Sequence, residues 1–273
     1  MRRASACDRE AIEAFLRRDP AHAMFPLSNL LRHGLGEGPG RAMNRGALRG
    51  VLGVTGDGMI LPVCPATAPQ EMARALAGRR MIGIMGAGPQ VRPLAALLGL
   101  DGADRALDED EAQFVLDLDD LVVPGGPGRL VPLADLDAET RVAWRRDYCI
   151  ETLGTPPERA AATAEADVAH YLSEGSHRAL IDGGMPLAMT GFNARLPDIV
   201  QVGAVYTPPA LRNRGHARRA VALHLAEARD AGVRRATLFT SGPAAIRAYE
   251  ALGFRRSGTW TVILPARPEV IHG

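Results

Sequence analysis

Hydrophobic and polar positions along the chain follow two periods, and each period predicts a different kind of element. Apolar residues recur every three or four positions in eight predicted helices: residues 8–18, 25–33, 69–77, 90–98, 137–149, 157–172, 217–231 and 243–252. Alternating or continuously apolar runs predict strands at residues 81–85, 112–121, 178–181, 186–193, 199–206 and 236–240, and a hairpin around residues 56–58. The pattern therefore predicts an α/β protein of mixed α+β type.

The pattern is interrupted at residues 124–128, which contain two prolines and three glycines and cannot continue a helix or a central strand. We predict a linker here, between an N-terminal α/β domain of residues 1–123 and a second domain of residues 129–273. A chain of 273 residues is long enough for two domains, and the second segment, about 145 residues, is large enough to close one core.

Composition narrows the function by exclusion. The formal net charge of +1 gives no electrostatic reason to expect nucleic acid or an anionic membrane as a partner. All 32 basic residues are arginines, which excludes Schiff-base and lysine-nucleophile chemistry. The three cysteines are widely spaced, so neither a disulfide framework nor a zinc site is predicted. No apolar run approaches 18 residues, and we expect a cytoplasmic protein with a small-molecule or peptide partner.

Residues 205–217 carry the strongest chemical pattern, a predicted strand followed by a short turn and a glycine that opens a helix. At such a helix start, free backbone N–H groups and the helix dipole favour an anion, and the missing side chain of Gly215 lets a diphosphate approach. Four arginines of this segment are candidates for additional bonds to phosphate: Arg212, Arg214, Arg218 and Arg219. The pattern favours a nucleotide-like cofactor.

The same residues resemble the GNAT superfamily of N-acetyltransferases. Arg212, Gly215 and Ala217 fill the superfamily signature Q/R-x-x-G-x-G/A, which binds the diphosphate of CoA. Residues 205–208 look like the family's fourth strand, whose backbone pairs with the pantetheine arm and polarises the thioester carbonyl. Further along, residues 245–254 are similar to the family's closing helix, with Tyr249 and a Gly-Phe exit. Both motifs occur in the family's order within one domain-sized segment.

The resemblance implies an enzyme that uses acetyl-CoA as co-substrate and transfers the acetyl group to an amine by direct attack on the thioester. It places Tyr249 as the catalytic residue at the departing thiolate. The residues that it implies for CoA binding are Val205, Tyr206, Thr207, Arg212, Asn213, Arg214, Gly215, His216, Ala217 and Arg218. No metal is implied. The acceptor is a small-molecule or peptide amine, and a homodimer is compatible with this assignment.

The first half is expected to be a degenerate copy, so that the chain would hold tandem GNAT-like domains, each a twisted mixed sheet flanked by helices. Residues 82–91 repeat the order strand, glycine turn and helix, but Q/R-x-x-G-x-G/A does not fit them. They also imitate a dinucleotide fingerprint, except that Val91 occupies the third glycine position. We therefore expect the first half not to catalyse.

Two departures from the family pattern leave alternatives open. No carboxylate lies within residues 200–206, where some family members carry a glutamate base, and Gly242 occupies a position that is often Asn. The general base is unassigned. A catalytically silent CoA-binding module and a transferase with a longer acyl donor are the alternatives. The resemblance places the acceptor pocket at residues 144–155 and 192–197, which contain no acceptor signature.

Overall fold

The computed structural model describes residues 1–35, 41–45, 47–64, 69–100 and 104–271. The chain forms two compact units. The first comprises Met1–Gln113 together with Ser257–Gly273, and the second comprises Phe114–Arg256. Each unit contains strands in a mixed arrangement, with helices packed against them.

The elements below are numbered in chain order. The strands are β1 (Arg2–Arg3), β2 (Arg41–Arg45), β3 (Ala47–Val54), β4 (Met59–Val63), β5 (Arg80–Met81), β6 (Gly83–Ala87), β7 (Arg105–Asp117), β8 (Arg129–Pro132), β9 (His177–Asp182), β10 (Met185–Arg195), β11 (Ile199–Tyr206), β12 (Arg235–Thr240), β13 (Arg255–Pro265) and β14 (Glu269–Val270). The helices are α1 (Arg9–Leu16), α2 (Met24–His33), α3 (Pro69–Leu76), α4 (Gly88–Leu97), α5 (Ala138–Leu153), α6 (Pro157–Glu174), α7 (His216–Asp230) and α8 (Pro243–Glu250).

In the first unit, the strands are ordered β1-β2-β3-β4-β6-β13-β7. The predicted hairpin at residues 56–58 joins the antiparallel strands β3 and β4, whereas β4 and β6 run parallel. The core lies between this sheet and the apolar faces of α3 and α4, where Met72, Leu76 and Leu94 pack with Ile84.

In the second unit, β12-β11-β10-β9-β8 follow in this order, with the last residues of β7 beside β12. Strands β11 and β12 are parallel, and the pairs from β8 to β11 are antiparallel. Successive side chains of β9 enter different cores: Ala179 packs with Trp144 of α5 and Tyr171 of α6, and Leu180 packs with Ala220 of α7. Because neighbouring side chains of a strand point to opposite faces, α5 and α6 cover one face and α7 the other.

The two units do not divide at the predicted linker, residues 124–128, and the second unit does not run to the C-terminus. The reason is β13, which the sequence pattern does not predict. Trp260, Thr261, Val262 and Ile263 of this strand pair with β6, so that the C-terminal segment completes the sheet of the first unit. The compact units of the structure therefore have other bounds than the predicted domains 1–123 and 129–273.

Residues 124–128 belong to the second unit, where Arg219 of α7 holds them. Its guanidinium donates hydrogen bonds to the carbonyl oxygens of Pro124 (2.6 Å), Pro127 (2.8 Å) and Gly128 (3.3 Å). The prolines and glycines do exclude helix and strand here, as predicted, but the segment is fixed by side-chain bonds rather than left as a spacer. Arg219, one of the four arginines considered for phosphate, is thereby committed to these carbonyls.

Helix boundaries in the second unit follow local chemistry. The side chain of Asp137 accepts a hydrogen bond from the backbone N–H of Thr140 and caps α5, which ends at Gly154 in the left-handed conformation. Helix α8 begins with Pro243 at its first position. These residues explain why the predicted helices lie close to the observed ones.

The first prediction concerns Gly191 of β10, which lies against the ring of His177. A Cβ atom at Gly191 would lie 2.1 Å from Cδ2 and Nε2 of that ring, and the ring itself stacks on Tyr171 at a centroid distance of 3.5 Å. Since the ring has no space to move, Gly191→Ala is expected to lower the free energy of unfolding by about 1–3 kcal/mol. Urea unfolding measures the change.

The control is Gly125→Ala, because no atom outside the neighbouring residues lies within 4 Å of a Cβ at that position. Its free energy of unfolding should stay within about 0.5 kcal/mol of the unmodified protein. Equal stability of the two variants would contradict the packing described for His177.

The second prediction concerns pH. Burial, and then the nearby Arg145, lower the pKa of His177 from 6.5 to about 3, and burial also lowers the pKa of His224. Below about pH 6.5 the unfolded chain therefore binds protons that the folded chain does not bind. The free energy of unfolding should fall as the pH is lowered from about 6.5 to about 5.5, by up to about 1.4 kcal/mol for each histidine.

Urea unfolding at several pH values tests this expectation. His170→Gln, which replaces an exposed histidine, should leave the slope unchanged. A flat profile between about pH 6.5 and 5.5 would show that neither buried histidine stays neutral in the folded protein.

Candidate functional site

The candidate site begins where two parallel strands separate. Strands β11 and β12 pair at Ile199–Arg235, Val200–Ala236 and Gln201–Thr237. Both strands lie wholly within the described residues, and their ladder ends there, although β11 continues to Tyr206 and β12 to Thr240. A gap therefore opens beside residues 202–206 at the carboxyl ends of both strands, the edge at which α7 and α8 begin.

The other side of β11 carries a β-bulge. Met189 of β10 pairs with Tyr206, and Gly191 pairs with Gly203, so that β11 contains one more residue than β10 between the two pairs. Ala204 within this bulge has a φ of 50°. The left-handed conformation costs an alanine about 1 kcal/mol, and strained backbone of this kind is concentrated at functional sites. The sequence does not reveal this feature, because alanine has no preference for such a φ.

The turn between β11 and α7 also uses left-handed backbone. Asn213 has a φ of 63° and Gly215 a φ of 79°, and α7 begins at the next residue, His216. The nearest side-chain atom to a Cβ built at Gly215 is Nη2 of Arg218, at 3.7 Å. Glycine is therefore favoured here by its backbone conformation, while open space remains in front of the helix N-terminus.

Two polar atoms around this turn lack a partner. Oγ1 of Thr207 and Nε of Arg218 are buried, and neither finds a hydrogen-bond partner among the described residues. A buried polar atom without a partner loses its hydration energy and gains nothing in return. The free N–H groups of the first turn of α7, with Nη2 of Arg218 beside Gly215, form a site that would favour an anionic ligand with several oxygens.

Arg212 is engaged elsewhere. Its guanidinium forms an ion pair with Glu151 of α5, donates a hydrogen bond to the carbonyl oxygen of Thr207 (3.0 Å) and lies 5.8 Å from the ring centroid of Tyr206. The hydrogen bond to Glu151 is the main reason why the pKa of Arg212 is raised. The other predicted residues line the gap and turn: Val205, Thr207, His216, Ala217 and Arg218 are half-buried, Tyr206 is buried, and Asn213, Arg214 and Gly215 are exposed.

Tyr249 lies in the last turn of α8. The ring is buried and meets Phe254 edge to face at a centroid distance of 5.8 Å. Gly242 is the residue before α8, and its N–H donates to Oγ1 of Thr240 (3.3 Å) at the end of β12. The helix that carries Tyr249 therefore starts directly beyond one of the two separated strands.

Two carboxylates of α5 lie near the end of β11. Burial raises the pKa of Tyr206, and the negative charges of Glu151 and Asp147 raise it further. Asp147 and Glu151 are four positions apart and lie on the same face of the helix. The sequence of β11 contains no carboxylate, and the sequence alone does not reveal these two, because only the packing of α5 on the sheet brings them close to Tyr206.

Comparison with known families bears on the predicted resemblance. Residues 139–254 match the family described as Acetyltransferase (GNAT) family. These residues form a GNAT domain. The predicted family is confirmed, and the strand gap, the turn and α8 all lie within the matched range. A search of curated protein sequences finds no significant match.

Solved structures extend the likeness to the whole chain. A GCN5-related N-acetyltransferase from Sphaerobacter thermophilus is 13% identical, with 100% of this chain and 95% of that chain covered and a TM-score of 0.58. One from Kribbella flavida is 18% identical (89% and 93% covered, TM-score 0.56). A tandem GNAT protein from the clavulanic acid biosynthesis pathway is 15% identical (98% and 98% covered, TM-score 0.53). These likenesses establish the fold and confirm the predicted tandem GNAT-like fold class.

The first unit differs from the GNAT domain at the corresponding place. Its parallel strands β4 and β6 also pair over a short register, Met59–Gly83 and Ile60–Ile84. Just beyond β4, however, the backbone N–H of Cys64 donates to Oε1 of Gln90 at 2.6 Å. A side chain of the unit itself thus uses a backbone donor at the strand end.

Two further findings apply to the described part of the chain. No group of three or more His, Cys, Asp or Glu residues there is arranged to hold a metal ion. No helix there combines the length and the apolar character that crossing a bilayer requires.

The third prediction tests the anion site. A glutamate at Gly215 would strain a backbone with a φ of 79° and would add a negative charge in front of α7. Two unit charges 4 Å apart near a protein surface interact by about 4 kcal/mol, so Gly215→Glu should weaken CoA binding by about 10²-fold or more. Isothermal titration calorimetry with CoA measures the dissociation constant.

Gly232→Glu is the matched control. Gly232 also has a positive φ, 94°, and has no neighbouring atom within 4 Å of a built Cβ, but it lies just beyond the other end of α7. This variant should bind CoA as the unmodified protein does. If both variants bound CoA equally well, the N-terminus of α7 would not be the diphosphate site.

Proposed function

We propose that the protein transfers an acetyl group from acetyl-CoA to the nitrogen of an amine, by direct attack of the amine on the thioester. The observation that carries this proposal is the gap between β11 and β12, bordered by the bulge at Ala204 and leading to the N-terminus of α7. It offers an extended ligand a strand edge along one part of its length and an anion site at the end. A CoA thioester combines these two features.

The residues present fit this co-substrate. Residues 205–207 of the separated strand would lie along the pantetheine arm, and residues 212–217 with Arg218 would receive the diphosphate. The guanidinium of Arg218, whose Nη2 lies 3.7 Å from a Cβ built at Gly215, would supply a positive charge for its phosphates. Acetyl-CoA supplies an activated acyl group, and the chain has to orient it and manage two protons.

One of these protons concerns the leaving sulfur. As the new N–C bond forms and the C–S bond breaks, negative charge develops on sulfur, and we assign the hydroxyl of Tyr249 to stabilise it. A phenol with a pKa near ~10 and a thiol near ~8.5 make full proton transfer uphill by roughly 2 kcal/mol. Hydrogen bonding or partial transfer from Tyr249 is therefore the assigned role, with solvent completing protonation of the thiol.

The other proton leaves the amine. An alkyl ammonium with a pKa near ~10 is neutral in about one molecule in a thousand at pH 7, so the acceptor must lose a proton before attack. Its nitrogen loses a second proton after the N–C bond forms, which balances the proton that the leaving thiolate gains. No carboxylate of β11 is available for this step. A water chain to solvent can accept the proton, and the carboxylates of Asp147 and Glu151 on α5 supply a negative potential that draws the ammonium toward the strand end.

The acceptor is proposed to be a small-molecule or peptide amine that enters beside residues 144–155 and 192–197. The small net charge of +1 gives a polyanionic acceptor no electrostatic reason to bind. Residues 144–155 include the part of α5 that lies beside Tyr206, whereas the end of β10 pairs with the first half of β11, as Arg195 does with Val200. Helix α5 would therefore line the pocket nearest the gap. Neither segment follows a pattern that names the amine.

A catalytically silent CoA-binding module is the second candidate, favoured by the absence of a carboxylate on β11 and by Gly242. Release of free thiol from acetyl-CoA, measured with a panel of primary amines, separates the two. A transferase shows amine-dependent thiol release, whereas a binding module shows CoA affinity by calorimetry without it.

The fourth prediction tests the role of Tyr249. Phe at this position keeps the buried ring and its contact with Phe254 and removes only the hydroxyl. Because the hydroxyl is needed when charge develops on sulfur, Tyr249→Phe should lower kcat by about 10²-fold or more, while CoA affinity changes by less than a few-fold. Single-turnover acetyl transfer to an amine found in the panel gives the rate.

Tyr171→Phe removes the hydroxyl of another buried tyrosine of the same unit, one that packs with α5 and β9. Its single-turnover rate should stay within a few-fold of the unmodified protein. An unchanged rate in Tyr249→Phe would reduce Tyr249 to a packing residue.

A further inference from the structure

The ion pair between Glu151 and Arg212 connects the end of α5 with the turn before α7. Glu151 lies in the last turn of α5, the helix beside which the proposed acceptor pocket lies. Arg212 occupies the first position of the CoA signature, on the turn before α7. The pair joins residues 61 positions apart in the chain.

The pair is open to exchange. The side chains of Arg212 and Glu151 are 42% and 40% exposed, so water screens their attraction, and ion pairs of this kind are individually weak. A diphosphate carries more negative charge than a carboxylate and offers a guanidinium two or more charged oxygens, whereas Nη2 of Arg212 contacts Oε2 of Glu151 alone. The N-terminus of α7, which starts four positions after Arg212, adds to the attraction of the diphosphate.

We propose that Glu151 is a positioning residue that competes with the CoA diphosphate for Arg212. This inference rests on the proposed function. In the free protein, Glu151 holds the guanidinium against the Thr207 carbonyl and the Tyr206 ring. Binding of the diphosphate withdraws Arg212 from Glu151 and releases the last turn of α5.

The exchange has a consequence for the attraction of the acceptor amine. While Arg212 is paired with Glu151, the charge of that carboxylate is neutralised and the end of α5 is tied to the turn. Once the diphosphate holds Arg212, the Glu151 carboxylate faces Tyr206 and the strand end without its counter-ion. The attraction of a cationic amine to the acceptor side, to which Asp147 contributes throughout, is then stronger once acyl-CoA has bound.

The fifth prediction uses Glu151→Gln, which keeps the size of the side chain and removes the competing charge. CoA should bind this variant more tightly than the unmodified protein, by about two- to fivefold, the range that exposed ion pairs span. A purely structural role for the ion pair gives the opposite sign, since a loosened turn would bind CoA more weakly. Calorimetry with CoA at low ionic strength measures the ratio.

Glu139→Gln is the matched control, because Glu139 is an exposed carboxylate in the first turn of the same helix. It changes the net charge equally, so any general gain of affinity from a less negative protein appears there too. The expected result is a gain for Glu151→Gln that exceeds the gain for Glu139→Gln. Equal gains, or a loss in Glu151→Gln, would overturn the competition.

Hydrogen–deuterium exchange supplies an independent readout. In the unmodified protein, CoA should increase amide exchange in the last turn of α5, residues 150–153, although it protects the turn at residues 212–217. In Glu151→Gln, exchange at residues 150–153 should be high already and insensitive to CoA. Protection of residues 150–153 by CoA in the unmodified protein would contradict the release of α5.

The two proposals fail in different ways. If CoA does not bind the unmodified protein at all, the proposed function and this inference both fall. If CoA binds, but Glu151→Gln gains no affinity over its control, the competition for Arg212 is wrong and the proposed function stands.

Discussion

The site depends on the early end of the ladder between β11 and β12. Continued pairing would satisfy the backbone N–H and C=O groups of residues 202–206 on that side and leave nothing for a ligand. The bulge at Ala204 adds a positive φ, which costs about 1 kcal/mol and persists only because the surroundings hold it. Pairing with β10 and the packing of α7 hold the strand, so the gap is a stable feature of the second unit.

The end of β11 also has groups of opposite charge on its two sides. Helices α7 and α8 both begin at the carboxyl ends of the separated strands, where their N-termini favour anions. On the other side of the same strand end, Asp147 and Glu151 project from α5 and act on Tyr206. In the proposed reaction, a CoA thioester between them would have its phosphates on the positive side and would face an ammonium on the negative side. In the proposed reaction, the two reactants would thereby approach from different sides, although the net charge of the protein is only +1.

Features that depend on neighbouring residues could be predicted from the sequence, and those that depend on distant ones could not. Strand β11 has the predicted bounds, residues 199–206, because an apolar run ends at two prolines, and the turn to α7 follows from its glycine. The return of β13 to the first unit, the bulge at Ala204 and the pairing of Arg212 with Glu151 arise from tertiary contacts. Arg219 shows the same limit, since proline and glycine predict irregular backbone and not the arginine that fixes it.

Each unit contains a short pair of parallel strands, β4 with β6 in the first and β11 with β12 in the second. A hydrogen bond beyond β4 distinguishes the two strand ends. In the first unit, the amide oxygen of Gln90 accepts the N–H of Cys64 beyond β4, so a ligand at that strand end would have to displace a side chain of the protein. In the second unit, Oγ1 of Thr207, the residue after β11, has no hydrogen-bond partner among the residues that the structure describes. A ligand at the end of β4 must first break a hydrogen bond within the protein, and breaking it costs free energy. If CoA binds as proposed, this difference favours its binding to the second unit.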